Sequence, residues 1–139
     1  MFRKILLPLD LSDRHERAVD IAAGLAAPTG AEVVLLHVVQ LIHGLAPDDE
    51  PQFYRRLEKK ADEALARCVD RLEMKGTPAR AVVLIGDRVP EVLRFAKESG
   101  VDLIILTSHA VDPTRPGAEW GTLSYLIGIT AQCPVLLVK

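Results

Sequence analysis

Five short apolar runs are spread along the chain, and each is apolar at successive positions instead of alternating with polar ones. In chain order they are Ile5 to Leu7, Val33 to Val39, Ala81 to Ile85, Leu103 to Leu106 and Val135 to Val138. A strand that is apolar along its length buries both faces, as the strands of a parallel sheet covered by helices do. The pattern therefore predicts five strands of one parallel sheet.

The stretches between the runs have helical spacing and recognisable ends. The first helix is expected to begin at a cap formed by Ser12 or Asp13 and to end before Gly30, in left-handed backbone. Its apolar stripe is expected to contain Ala18, Ala22 and Leu25. The other three helices are expected over about Pro51 to Lys75, from Pro90 as first helical residue to Gly100, and over about Gly121 to Ala131.

The order β-α-β-α-β-α-β-α-β, without a repeat or a long linker, predicts one doubly wound α/β domain over residues 1–139. In such a sheet the ligand crevice lies beyond the carboxyl ends of the strands, where the strand order reverses. The loops that follow the strands are therefore the places to look for a binding site.

Composition narrows the classes of partner. The chain has 139 residues, 49% of them hydrophobic, which is enough apolar material for a core. Lys and Arg number 17 against 19 Asp and Glu, for a net charge of -2 and a pI near 6.1. A nucleic-acid or anionic-membrane partner is not expected, because the basic footprint such partners need is missing.

Three further features bear on location. The stretch Trp120 to Val138 has no charged residue, but small and polar residues dilute it and Pro134 interrupts it, so a membrane span is not expected. The first apolar run is too short for a signal peptide. Cys68 and Cys133 lack the spacing of a zinc site or a disulfide framework and are interpreted as buried thiols in a reducing compartment.

Polar residues stand at the ends of the first two predicted strands. Asp10 either caps the following helix, accepts hydrogen bonds from ribose or purine donors, or binds a metal. His37 is either a packed structural residue or a ligand-binding one, and the backbone at Val38 and Val39 offers a surface for a flat heterocycle.

The segment from Thr107 to Thr122 follows the fourth strand and is rich in proline, small and hydroxyl residues. It either presents backbone N–H groups to a phosphate, with Arg115 as an added charge, or is a plain surface loop. No complete Walker A or GxGxxG signature is present.

Evidence for catalysis is weak. Asp10, His37 and His109 are a possible metal-binding set by residue type alone. No GxSxG turn occurs, and Ser108 and His109 are adjacent, which disfavours a productive Ser–His contact. We expect no committed catalytic turnover; a slow ATP hydrolase would have to rely on Asp10 and His109.

The chain resembles the universal stress protein family over essentially its whole length. The matching pieces are Ile5-Leu6-Leu7-Pro8-Leu9-Asp10-Leu11-Ser12, Val34-Leu35-Leu36-His37-Val38, Gly86-Asp87, Val101-Asp102-Leu103-Ile104-Ile105, Ser108-His109 and Cys133-Pro134-Val135-Leu136-Leu137-Val138. The resemblance implies a three-layer open sheet of five parallel strands with four helices, the adenine nucleotide alpha hydrolase-like architecture. It further implies a cytoplasmic homodimer paired through the last strand and a regulatory role in the stress response.

The resemblance implies that ATP-binding members of that family have the motif Gly-x-x-Gly, then nine residues, then Gly-Ser/Thr. Here Thr107 and Ala110 stand at the two glycine positions, ten residues separate Ala110 from Gly121, and Gly121-Thr122 matches. A Cβ at those positions crowds a phosphate or strains the loop. The nucleotide-binding residues that the resemblance implies are Pro8, Leu9, Asp10, Val38, Thr107, Ser108, His109, Ala110, Gly121 and Thr122.

The sequence therefore predicts a homodimeric universal stress protein that binds ATP, ADP or AMP, with or without Mg, through a degenerate phosphate loop. The adenosine half of the site is expected to be intact, so that AMP or ADP competes well with ATP. The apolar fourth helix and the strand Val135 to Val138 are expected to form the subunit interface; burial within the subunit is the alternative. A nucleotide-independent module that binds an unknown protein partner is the alternative function.

Overall fold

The computed structural model describes residues 1–109, Thr114 and residues 122–139. Within them, five strands alternate with four helices, as predicted. The elements are β1 (Lys4–Pro8), α1 (Glu16–Ala26), β2 (Glu32–Gln40), α2 (Pro51–Met74), β3 (Ala79–Gly86), α3 (Arg88–Glu98), β4 (Leu103–Thr107), α4 (Leu123–Thr130) and β5 (Val135–Val138).

The five strands form one parallel sheet in the order β3-β2-β1-β4-β5. From β1 the chain first builds outward through β2 and β3, then returns to the other side of β1 and builds outward through β4 and β5. The strand order therefore reverses between β1 and β4. Their carboxyl ends flank the position where an open α/β sheet places its ligand crevice.

Helices cover both faces of the sheet, which explains the continuous apolar runs. On one face, side chains such as Ile5, Leu7 and Leu35 pack in a cluster with residues of α1 and α2, among them Val19 and Leu65. On the other face the alternate strand residues pack with α3 and α4. That second cluster includes Leu6, Val34, Ile104, Val92, Ala96 and Ile127.

The ladder between β1 and β4 is short, and the sequence of β1 explains why. Only Ile5 and Leu6 pair with β4, although β1 continues to Pro8. The backbone groups of successive strand residues point alternately to the two neighbouring strands. The Lys4 carbonyl accepts a hydrogen bond from the N–H of Asp102, which directly precedes β4. The backbone of Pro8, four residues after Lys4, therefore also points toward β4. Because proline has no N–H, Pro8 cannot extend this ladder, and the pairing of β1 with β4 stops before the carboxyl ends that flank the expected ligand crevice.

The start of α1 differs from the prediction. The helix begins at Glu16 and the N-cap residue is His15, whose side chain makes no capping bond, so neither Ser12 nor Asp13 caps it. The Ser12 hydroxyl and backbone N–H are instead bonded to Asp10. Gly30 does adopt the expected left-handed backbone, with φ of 66°.

Three smaller expectations about the helices also need correction. Leu25 is 37% exposed, because the buried face of α1 includes Val19 and Ala23 in addition to the expected alanines. Pro90 is the third residue of α3, which begins at Arg88. Helix α4 spans Leu123–Thr130, shorter than predicted.

Both cysteines are partly buried, not fully buried as expected. Cys68 packs against the core on the α1 and α2 face of the sheet, whereas Cys133 packs against the core on the other face. Burial raises the pKa of both thiols.

Helix α4 and strand β5 leave apolar surface uncovered. Ile127 is fully buried, but Tyr125, Leu126 and Ile129 are 44%, 37% and 62% exposed. On the edge strand, Leu136 and Leu137 are also exposed. The alternative that α4 is buried within the subunit is therefore wrong for most of its apolar residues. None of the helices in the described part of the chain is long and apolar enough to cross a membrane.

Candidate functional site

A cavity of about 270 Å³ lies at the switch point between β1 and β4. Its walls combine apolar side chains from the ends of three strands and from α3 and α4 with charged and polar side chains, which make up about half of the lining. Of the predicted site residues, those that line it are Pro8, Leu9, Asp10, Val38, Thr107, His109 and Thr122. A concave site at the switch point of an α/β sheet, with apolar surface and convergent polar groups, is a usual place for a small-molecule ligand.

Asp10 is held rigidly on one side and loosely on the other. Its Oδ1 atom accepts hydrogen bonds from the Ser12 backbone N–H at 2.9 Å, from the Ser12 hydroxyl and from His15 Nε2 at 2.7 Å. Its Oδ2 atom accepts a hydrogen bond from Arg14 Nη2 at 2.9 Å, and the Arg14 side chain is 55% exposed.

The hydrogen bonds on Asp10 also determine its charge. Burial by itself raises the pKa of the Asp10 carboxyl, but the bonds from Ser12 and His15 outweigh it and lower the pKa below its ordinary value. Asp10 is therefore an ionised acceptor near neutral pH. A ligand hydroxyl would reach its Oδ2 atom by displacing the exposed Arg14 side chain.

His15 joins the two strand ends that flank the cavity. The residue is 6% exposed, and its Nδ1 atom lies 2.8 Å from the Thr107 hydroxyl while Nε2 contacts Asp10. This chain of contacts links the end of β1 to the end of β4, where backbone pairing has already stopped. The side chain of His15 therefore replaces ladder hydrogen bonds at the base of the crevice.

His37 has the packed, structural role that was one of its two interpretations. It is 8% exposed, and its Nδ1 atom donates to the Leu9 carbonyl oxygen at 2.7 Å, which fixes the turn after β1. The metal interpretation is wrong for Asp10, His37 and His109. Among the described residues, no group of three His, Cys, Asp or Glu side chains could hold a metal ion.

The β4 side of the cavity is described only in part. Thr107 is bonded through its carbonyl oxygen to the Ser124 hydroxyl at 3.3 Å, and Thr122 caps α4 by accepting from the Tyr125 N–H. Ser108 does not line the cavity: its N–H donates to the Val138 carbonyl, and Lys139 Nζ lies 3.3 Å from its hydroxyl. Ala110 and Gly121, also predicted at the site, lie outside the described residues.

Four polar residues at the cavity were missed by sequence reasoning: Arg14, His15, Arg88 and Ser124. Arg14 and His15 follow Asp10 by four and five positions, in a turn that the predicted helix start assigned to the first helix. Arg88 immediately follows Gly86-Asp87 at the start of α3. The available signal was the concentration of charged residues directly after a strand end.

The fold and the cavity together define a class of protein. It is an open parallel α/β protein whose switch-point cavity contains apolar side chains and an ionised carboxylate held in a fixed orientation. A sequence model of the universal stress protein family matches residues 1–139, and the chain belongs to that family.

Individual relatives agree over the full length. Universal stress protein YxiE of Bacillus subtilis is 28% identical over 149 residues, covering 100% of both chains. Universal stress protein MJ0577 of Methanocaldococcus jannaschii is 27% identical over 156 residues, covering 100% of this chain and 96% of the relative.

Solved structures show the same fold. The structure of MJ0577 has a TM-score of 0.81 at 26% identity, covering 100% of this chain and 96% of that one. The universal stress protein of Archaeoglobus fulgidus, solved in complex with dAMP, has a TM-score of 0.74 at 22% identity, covering 99% of this chain and 98% of that one. The second likeness is evidence of fold alone.

Proposed function

We propose that this chain is a small cytoplasmic regulator of the stress response that binds an adenine nucleotide in the switch-point cavity. The observation that carries the proposal is the position of Asp10: an ionised carboxylate at the switch-point cavity, with one oxygen held by Ser12 and His15 and the other paired with the exposed Arg14. A relative with the same fold was solved in complex with dAMP, which supports an adenine nucleotide as the ligand.

The adenosine moiety fits the β1 and β2 side of the cavity. Val38, Val92 and Leu106 supply apolar surface for a flat base, and Pro8 and Leu9 supply backbone at the end of β1. The Oδ2 atom of Asp10 would accept a ribose hydroxyl in place of Arg14. A hydrogen bond from a neutral hydroxyl to an ionised carboxylate contributes about 1.5–3 kcal/mol.

The phosphates would lie toward Thr107 and Thr122, with Arg14 and Arg88 as the nearby cations at the cavity. Thr107 carries a Cβ and a hydroxyl where ATP-binding relatives have glycine, so the backbone cannot approach a phosphate as closely there. We infer that AMP or ADP competes well with ATP. Any Mg²⁺ would be carried in on the phosphates, because the described residues offer no cluster of metal ligands.

The test is calorimetric titration of nucleotide-stripped protein with ATP, AMP and GTP in the presence of Mg²⁺. We expect micromolar adenine-selective binding that Asp10→Ala abolishes. Asp13→Ala is the matched control, because it removes the same charge from an exposed position three residues along. Equal affinity for ATP and GTP would contradict adenine recognition.

We further propose that the protein is a homodimer through β5, the strand of Val135, Leu136, Leu137 and Val138. In the described sheet, β5 is an edge strand, and an edge with exposed leucines is an open template for pairing with a second copy. The exposed apolar residues of α4 lie in the same part of the chain and would extend the interface.

Analytical ultracentrifugation at micromolar concentration tests the dimer. Leu137→Lys should shift the protein to monomer, whereas Met74→Lys, a change at an 89% exposed apolar residue on α2, should not. A monomeric parent protein would overturn the proposed dimer.

The exposed apolar surface also favours a second candidate function, a nucleotide-independent module that binds a protein partner. Absence of binding to every nucleotide would favour it. An enzymatic function would be supported by Mg²⁺-dependent ATP turnover that both Asp10→Asn and His109→Ala abolish.

A further inference from the structure

The contacts of His15 determine where its protons lie. Asp10 is ionised and therefore only accepts hydrogen bonds, so the proton on His15 must be on Nε2, the atom 2.7 Å from Asp10 Oδ1. In a neutral ring Nδ1 then has a lone pair and no hydrogen. The 2.8 Å contact with Thr107 Oγ1 is consequently made by the Thr107 hydroxyl donating to Nδ1.

This arrangement limits what Thr107 can offer to a ligand. A threonine hydroxyl has one proton, and here it points at His15. The oxygen of Thr107 then presents only lone pairs to the cavity that it lines. Such an atom accepts from a hydroxyl but repels a phosphate oxygen.

We propose that His15 is a positioning residue that sets ligand specificity by holding Thr107 as a hydrogen-bond acceptor, so that the cavity favours the nucleoside part of its ligand over the phosphates. The inference rests on the proposed function and concerns the same site.

A purely structural role for His15 makes a different prediction. If the ring only holds β1 and β4 together, its replacement should weaken adenosine, AMP and ATP by the same factor. The positioning role requires the ratio of affinities to change, because only the phosphate-bearing ligands meet the hydroxyl proton that is released.

The experiment is titration of adenosine, AMP and ATP into the parent protein and into His15→Phe, His15→Gln, Thr107→Val and Thr107→Ser. His15→Phe leaves Thr107 without its acceptor, so the affinity for ATP relative to adenosine should rise roughly 3- to 10-fold, the worth of one hydrogen bond. His15→Gln keeps a donor and an acceptor and should retain the parent ratio. In the double variant His15→Phe with Thr107→Val the rise should disappear.

The outcomes separate the two proposals. Absence of binding by the parent protein would overturn both the proposed function and the role of His15. Adenine-selective binding with the same ratio of ATP to adenosine affinity in His15→Phe as in the parent would leave the function standing and overturn the role of His15.

Discussion

Two aspartates, one in the turn after β1 and one on α1, look alike by simple measures and differ in what they do. The side chains of Asp10 and Asp20 are both 41% exposed, both meet an arginine at 2.9 Å, and both have a lowered pKa. A lowered carboxyl pKa is often taken as a sign of a functional site. In this protein it marks one site residue and one surface ion pair.

The partners distinguish them. The pKa of Asp20 is lowered first by the hydrogen bonds from Arg71, whose guanidinium grips both carboxylate oxygens across α1 and α2, with Lys75 nearby. Burial raises the pKa of Asp10, but the hydrogen bonds from Ser12 and from the buried His15 lower it by more. Asp20 has both oxygens occupied, whereas Asp10 keeps one oxygen for an exchangeable partner. This difference at the second oxygen supports Asp10, and not Asp20, as the carboxylate of the proposed site.

Among the substitutions that test the difference between Asp10 and Asp20, the largest expected effect is on ligand affinity. Asp10→Asn should weaken adenine-nucleotide binding by about 10- to 100-fold, because a ribose hydroxyl bonds an ionised carboxylate more strongly than an amide. Asp20→Asn should leave the affinity unchanged. Calorimetric titration of both variants with AMP checks the pair, and similar losses in both would contradict the assignment of Asp10 to the site.

The next effect concerns folding. Asp10→Ala deprives the buried Nε2 of His15 of its acceptor, and a buried donor without a partner costs about 1–3 kcal/mol in the free energy of unfolding. Urea denaturation at neutral pH measures this loss. If the double variant Asp10→Ala with His15→Phe is as unstable as Asp10→Ala alone, the orphaned donor is not the cause.

Much of the fold follows from the sequence because burial on both faces of a strand leaves a plain signal. The run Val33 to Val39 predicted β2 within one residue at each end. The start of α1 was missed because two principles compete there. Ser12 is a good helix cap, but its hydrogen bonds are used by Asp10, and the helix starts later.

The site was predictable only where it lies at strand ends. Asp10 and Val38 could be placed at the crevice because parallel strands end at a common edge. His15 could not, since its partner Thr107 is 92 residues away along the chain and its direction depends on an irregular turn. Arg88 likewise follows a strand end, but that signal gives its place along the chain and not the direction of its side chain.

The pH dependence of the free energy of unfolding gives a further test of the Asp10 carboxylate. A group whose folded pKa is depressed contributes stability that is complete above its unfolded pKa of about 4 and is lost as the pH falls toward the folded value. The stability difference between the parent and Asp10→Asn should therefore be constant from about pH 7 to about pH 5 and shrink below about pH 4. Denaturation curves across this range check the sign, and a difference that grows on acidification would contradict it.

The smallest expected effect is that of Asp20→Asn on stability. The Asp20 and Arg71 side chains are 41% and 39% exposed, so water and salt screen their attraction, and the ordering of a long arginine side chain opposes it. The loss on substitution should be close to the scatter of ordinary surface changes and should fall further as salt is added. Denaturation of Asp20→Asn at low and high salt measures it. A large, salt-independent loss would mean that this ion pair holds α1 against α2, and that the contrast with Asp10 is confined to ligand binding.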